Sequence, residues 1–317
     1  MKNVLVLGGT GFVGRHTCER LHREGWQITV PTRRARNAAA VQHLPRVTVI
    51  EADVHDPAQL LRLMAGHDAI VNLVAILHGS EEAFERVHVE LPLAIEEACL
   101  AEGVSRVVHV SALGVATDAP SRYQRSKARG EEVLRGANLD LTVLRPSVIF
   151  GAGDRFLNLF AQLQGLAPLV PLACADARFQ PVWVEDVAAA IAACLRDDAI
   201  GRSTQGQTIE CAGPDVLTLR ELVRLAGRHG SHERPVIGLP AALGHLQAAV
   251  MELMPGPPLM SRDNVAAMSV PNVASGQLPG LNSLGITPAS VHTIAPTYLG
   301  QRNGRSQLLH WRQQAGR

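Results

Sequence analysis

The chain has 317 residues, of which 46% are hydrophobic and 19% charged, with a net charge of +1. That is too apolar for a disordered polymer and long enough to bury a sizeable core. A near-neutral balance without a basic stripe interleaved with aromatics excludes nucleic acid as a partner class.

Residues 3–7 read as a first strand, so no signal peptide is expected ahead of it. Strand-length apolar runs then alternate with helix-length segments: a helix over 11–24, strands at 27–31 and 47–52, a helix at 57–65 and a strand at 69–75. A helix over 86–101, a strand at 106–111, a helix at 123–135 and a strand at 141–144 follow. Six strands in this order predict an α/β fold, a Rossmann doubly wound parallel sheet. Beyond Gly151 the pattern loosens into short strands (182–184, 207–211, 235–237) and helices (185–195, 219–229), which predicts a smaller mixed α/β C-terminal lobe. The expected division is a dinucleotide-binding domain over 1–150 and a substrate or partner lobe over 151–317, with the chain free to cross back between them. Prolines and glycines at 255–258 and 271–288 mark irregular connections. No run reaches the roughly twenty apolar residues of a membrane-spanning helix. The five cysteines (Cys18, Cys99, Cys174, Cys194, Cys211) are odd in number and widely spaced, as expected for reduced thiols of a cytoplasmic protein.

Gly8-Gly9-Thr10-Gly11-Phe12-Val13-Gly14 follows the first strand directly and opens a helix. In that context Gly8, Gly11 and Gly14 suit a tight turn, a close backbone approach to pyrophosphate and a close helix-to-strand contact. Free N–H groups at the helix start would face the phosphates. At the end of the second strand, where an acidic residue would accept both ribose hydroxyls of NAD, the chain carries Arg33-Arg34. Guanidinium groups there favour the 2′-phosphate, so NADP(H) is the expected cofactor, with NAD(H) as the alternative. Asp53-Val54 follows the third strand, where a carboxylate either accepts from the adenine amino group or caps a loop or helix.

Tyr123 and Lys127 lie four apart and share a helix face. Only two tyrosines and two lysines occur in the chain, which makes the pairing informative. A cation beside the phenol would lower its pKa and let it exchange a proton with a substrate oxygen oriented by Ser111. The catalytic candidates are therefore Ser111, Tyr123 and Lys127, the last two also facing the cofactor ribose.

Together with Arg145-Pro146-Ser147-Val148-Ile149-Phe150-Gly151, these motifs resemble the extended and atypical short-chain dehydrogenase/reductases over about the first 200 residues. The resemblance implies that Pro146 and Val148 flank the nicotinamide and that Ala75 lines the cofactor. More narrowly, 29–34, 72–79, 155–158 and 179–184 look like bacterial relatives of the dinucleotide-binding accessory subunit of mitochondrial complex I. This implies either an oxidoreductase with an unidentified small-molecule substrate or a non-catalytic protein with a respiratory or quinone-related partner. Leu7 in place of the usual threonine, and Ser111-Ala112-Leu113-Gly114 in place of paired serines, argue against classical sugar-nucleotide epimerisation.

His78, His88 and His109 show no metal-ligand spacing and receive no role. Trp183, Glu185 and Asp186 read as a helix start. Arginines among apolar residues from Tyr298 to Arg317 are compatible with peripheral contact at the inner face of a membrane or with a frayed terminus.

Overall fold

The computed structural model describes residues 2–230, 232–253 and 258–299. The arginine-rich tail beyond 299 and part of the 255–258 turn lie outside the described residues. In chain order the elements of the first half are β1 (Asn3–Leu7), α1 (Phe12–Arg23), β2 (Gln27–Thr32), β3 (Val47–Glu51), α2 (Pro57–Met64), β4 (Ala69–Asn72), α3 (Glu81–Glu85), α4 (Leu91–Glu102), β5 (Arg106–Val110), α5 (Arg122–Gly136) and β6 (Asp140–Pro146). There follow β7 (Ile149–Phe150), α6 (Leu157–Leu166), β8 (Val170–Leu172), β9 (Arg178–Phe179), β10 (Val182–Trp183), α7 (Val184–Leu195), α8 (Ala199–Ser203) and β11 (Thr208–Cys211). The chain closes with β12 (Leu217–Thr218), α9 (Leu219–His229), β13 (Val236–Gly238), α10 (Ala241–Glu252), α11 (Arg262–Ala267) and α12 (Val291–Tyr298).

Among the described residues, seven parallel strands form one sheet in the order β11-β6-β5-β4-β1-β2-β3. The order reverses between β1 and β4, which opens the crevice where doubly wound sheets bind ligands. Strands such as Val4-Leu5-Val6-Leu7 are buried on both faces because helices cover both. Cys18 and Leu21 of α1 and Val187 and Ile191 of α7 pack on one face, Leu60 of α2 and Ile95 of α4 on the other.

Two elements that follow residue 150 lie on this sheet and not in the smaller lobe. The strand expected at 207–211 is β11, in register with β6 (Leu144 beside Ile209), and α7 packs along α1. The helix expected over 86–101 is also interrupted. Residues 86–90 form a π-helical turn between α3 and α4. The short α8 also stays with the large sheet, Ile200 packing against its core, and the smaller lobe is built around a core that includes Phe150, Leu157, Leu222 and Val291.

Candidate active site

The glycine turn has the shape its spacing implies. Gly8 sits at φ +79, and Gly11 N–H returns to the Gly8 carbonyl at 3.0 Å. A Cβ on Gly14 would stand 2.2 Å from that same carbonyl oxygen, so only glycine lets α1 approach the turn. No side chain caps α1 at Gly11, which leaves its first-turn N–H groups for an anion. Thr10, Phe12 and Val13 are partly buried beside the turn. Arg15, over the Phe12 ring, donates to the Ala152 carbonyl and joins α1 to the loop after β7.

Arg33 and Arg34 emerge exposed from the end of β2, and neither forms an ion pair among the described residues. Asp53 accepts from His55 N–H at 3.0 Å, which is a turn-closing role, while α2 takes its N-cap from Asp56. Val54 is half-buried beside it, and Ala75 is exposed in the segment after β4. Pro146 is buried at the end of β6 and accepts from Leu113 N–H, and Val148 N–H donates to Asn272 Oδ1 at 3.0 Å.

Tyr123 and Lys127 stand on α5, which begins at an N-cap made by Ser121. Lys127 is buried and its Nζ donates to the Val110 carbonyl at 2.7 Å, one residue before Ser111. The helix face and the end of β5 therefore meet. Ser111 Oγ is buried with no hydrogen-bond partner, a free hydroxyl at the mouth of the sheet.

The ionisation pattern departs from the sequence expectation. Burial pushes the Tyr123 phenol up to about 12, in place of the depression expected from a neighbouring cation. Lys127 is held by the Val110 carbonyl, and desolvation lowers it from 10.5 to about 8, with Glu131 opposing that fall. In this state the phenol is a proton donor and the lysine is the softened acid.

Two further residues shape the site and were not legible in the sequence. His88 lies in the π-helical turn, a feature often found at functional sites. Its Nε2 accepts from Ile76 N–H at 3.2 Å, which puts the proton on Nδ1, and Nδ1 donates to Ser126 Oγ at 2.8 Å. The imidazole also sits edge-on to the Tyr123 ring at 5.5 Å. Burial, with Lys127 adding to it, lowers its pKa to about 3. The second residue is Asp263 of α11, whose carboxylate accepts from the N–H groups of Arg122 and Tyr123 at 2.7 and 3.1 Å. One histidine among thirteen, and one aspartate far along the chain, carry no spacing signal that points to α5.

Over residues 4–209 the sequence matches the NAD dependent epimerase/dehydratase family. The chain belongs to that family. Its relatives include NADH dehydrogenase (ubiquinone) 1 alpha subcomplex subunit 9 of Arabidopsis thaliana mitochondria, 30% identical over 303 residues that cover 89% of this chain and 73% of that one. A ceramide reductase of Caulobacter vibrioides is 33% identical over 200 residues, covering 62% of each chain. Among solved structures, a dTDP-glucose 4,6-dehydratase double mutant of Streptomyces venezuelae with NAD bound superposes with a TM-score of 0.72 at 22% identity. That superposition covers 96% of this chain and 98% of the other, and at this identity it shows a shared fold. The family member described here thus combines a doubly wound sheet, a glycine turn after β1 and a Tyr-x-x-x-Lys helix that meets the end of β5.

Proposed function

We propose that the chain is an NADP(H)-dependent oxidoreductase that reduces a carbonyl group, or oxidises the corresponding alcohol, on a small-molecule substrate. The observation that carries this reading is the meeting of the Tyr123–Lys127 helix with the end of β5, beside a buried and unpartnered Ser111 hydroxyl. The residues suit the dinucleotide: a Cβ on Gly14 would strike the Gly8 carbonyl, so the turn stays tight against α1, and the uncapped start of α1 offers donors to phosphate. When bound, the nicotinamide supplies the hydride. Ser111 Oγ orients the substrate oxygen, and the neutral Tyr123 phenol donates its proton to that oxygen as negative charge builds there. Lys127 would hold the cofactor ribose and, as a cation on the same helix face, would stabilise the phenolate left behind. Arg33 and Arg34, exposed at the end of β2, would hold the 2′-phosphate by charge-assisted hydrogen bonds.

The first test is the nucleotide that copurifies with the protein and its exchange with labelled NADPH. Tighter binding of NADPH than NADH is expected, with the ratio falling about tenfold or more in Arg33→Ala/Arg34→Ala, on the order of one charged hydrogen bond. Equal ratios in both proteins would remove the arginines from cofactor choice. In a screen of carbonyl compounds that includes ceramide-like lipids, chosen because a relative is named ceramide reductase, Tyr123→Phe should lose turnover and keep NADPH binding. Undiminished turnover would remove Tyr123 from the chemistry.

A second reading is favoured by the relative named as a NADH dehydrogenase subunit, similar over 89% of this chain. In it the chain is a cytoplasmic protein that holds NADPH as a structural or redox-reporting group at a respiratory assembly on the inner face of the membrane. Retention of NADPH for hours, with copurification in respiratory membranes, supports that reading, and exchange within seconds supports the enzyme.

A further inference from the structure

The first turn of α5 has more acceptors than its own sequence supplies. Ser121 Oγ accepts from Gln124 N–H at 3.0 Å and its carbonyl accepts from Arg125 N–H, which is an ordinary local cap. The two earlier donors, Arg122 N–H and Tyr123 N–H, are out of reach of that serine. Asp263 takes both, one on each carboxylate oxygen, and its Oδ1 stands 3.7 Å from Arg122 Nε. The aspartate is 9% exposed and comes from the smaller lobe. It is itself fixed: Ser261 and Asn264 cap α11 reciprocally, and Arg262 binds the carboxylate of Glu252 at the end of α10 through both its N–H and its Nε, each at 2.8 Å.

A cavity of about 210 Å³ opens between the segment after β4, the start of α5 and α11, and it is lined by His78, Phe84, Arg122 and Asp263. Phe84 also forms an edge contact with the Tyr123 ring at 6.3 Å. A molecule entering the cavity therefore meets the Arg122–Asp263 pair and Phe84, the ring that borders Tyr123. We propose that Asp263 is a positioning residue for Tyr123: the smaller lobe, through this carboxylate, fixes the backbone of the residue that faces substrate. The inference rests on the reading of Tyr123 as the proton donor. Rings of His88 and Phe84 bound the phenol on its sides, and Asp263 sets the point from which the side chain leaves the helix. A displacement of α11 with the lobe is then transmitted to the phenol without passing through the sheet.

The test uses full-length protein labelled at tyrosine Cζ, which carries two tyrosines, Tyr123 and Tyr298, assigned by the spectrum of Tyr123→Phe. In Asp263→Ala the Arg122 and Tyr123 amides should exchange about tenfold faster or more. The Tyr123 Cζ resonance should shift or split, the Tyr298 resonance should stay in place, and NADPH affinity should hold. Asp263→Asn keeps an acceptor for one N–H and loses the other, so one of the two amides should exchange faster and the Tyr123 resonance should shift by less than in the alanine variant; this carries the test if the alanine variant fails to fold. A Tyr123 resonance that does not move while the amides exchange faster overturns the positioning role and leaves a simple cap. Amides that exchange at the native rate overturn the proposal at its first step. None of these readouts needs turnover, so the outcome is separate from whether Tyr123→Phe abolishes catalysis.

Discussion

Lys127 is a costly residue to bury, and its cost has a definite pH dependence. In the folded chain it titrates near 8 and in the unfolded chain near 10.5, a gap worth about 3 kcal/mol at about 1.4 kcal/mol per pH unit. Between those values the unfolded chain binds more protons, so the penalty is complete below pH 8 and fades as the pH rises toward 10.5. Lys127→Met loses the charged bond to the Val110 carbonyl, about 1.5 to 3 kcal/mol, and should still gain about 0.5 to 1.5 kcal/mol at pH 7 in the ligand-free protein. The gain should vanish near pH 10, and urea unfolding at the two pH values measures it. Stability lost in this way and retained in the wild-type chain is what a functional lysine implies. The glycine turn and the Tyr-x-x-x-Lys pair were legible in the sequence because their geometry is local: a strand, a turn and one helical period. The direction of the Tyr123 shift was not, because it follows from burial by Phe84, His88 and the second lobe, and no spacing encodes that.

The interrupted helix around His88 is where element and site meet. Glycine inside α5 ought to be a weakness, since alanine at Gly130 would favour helix by about 1 kcal/mol. A Cβ there would stand 1.8 Å from the His88 carbonyl oxygen, however, which is backbone and cannot swing aside. Gly130→Ala should therefore destabilise the protein by about 2 to 3 kcal/mol, overpacking outweighing propensity. The urea midpoint should fall; an unchanged or raised midpoint would show that the π-helical turn gives way freely. Periodicity predicted one helix over 86–101 because the apolar positions continue in phase across the break. The break is a backbone event, and it brings His88 onto Ile76 N–H and Ser126 Oγ. In the same way β11 was legible as a strand and illegible as a member of the large sheet, because its partner β6 is chosen by packing after a long excursion of the chain.

Across the whole molecule the second lobe is fastened to the sheet at a few polar points. Ser147 and Val148, just after β6, bind Asn272, and Asp186 of α7 accepts from Ala289 N–H; within the lobe, the buried Asp154 accepts from Gly151, Phe156, Asn158 and the Tyr298 hydroxyl. Tyr298→Phe removes one charge-assisted bond from Asp154 and should cost about 1.5 to 3 kcal/mol, read as a lower urea midpoint; no change would mean that the last helix adds nothing to the hold on the loop that touches Arg15. The bonds of Asn272, Ala289 and Tyr298 join residues more than 100 apart in the chain, and for that reason composition and periodicity predicted two lobes but not how they grip. Among the described residues no helix is long and apolar enough to cross a membrane. The late arrival of β11 bears on biosynthesis. While a ribosome is still adding the 150s to the 190s, the outer N–H and C=O groups of β6 have no neighbour, and they stay so until residues 208–211 emerge. A nascent chain of that length would leave the β6 edge open to pairing with other chains, and a fragment cut at residue 150 would keep that edge open permanently.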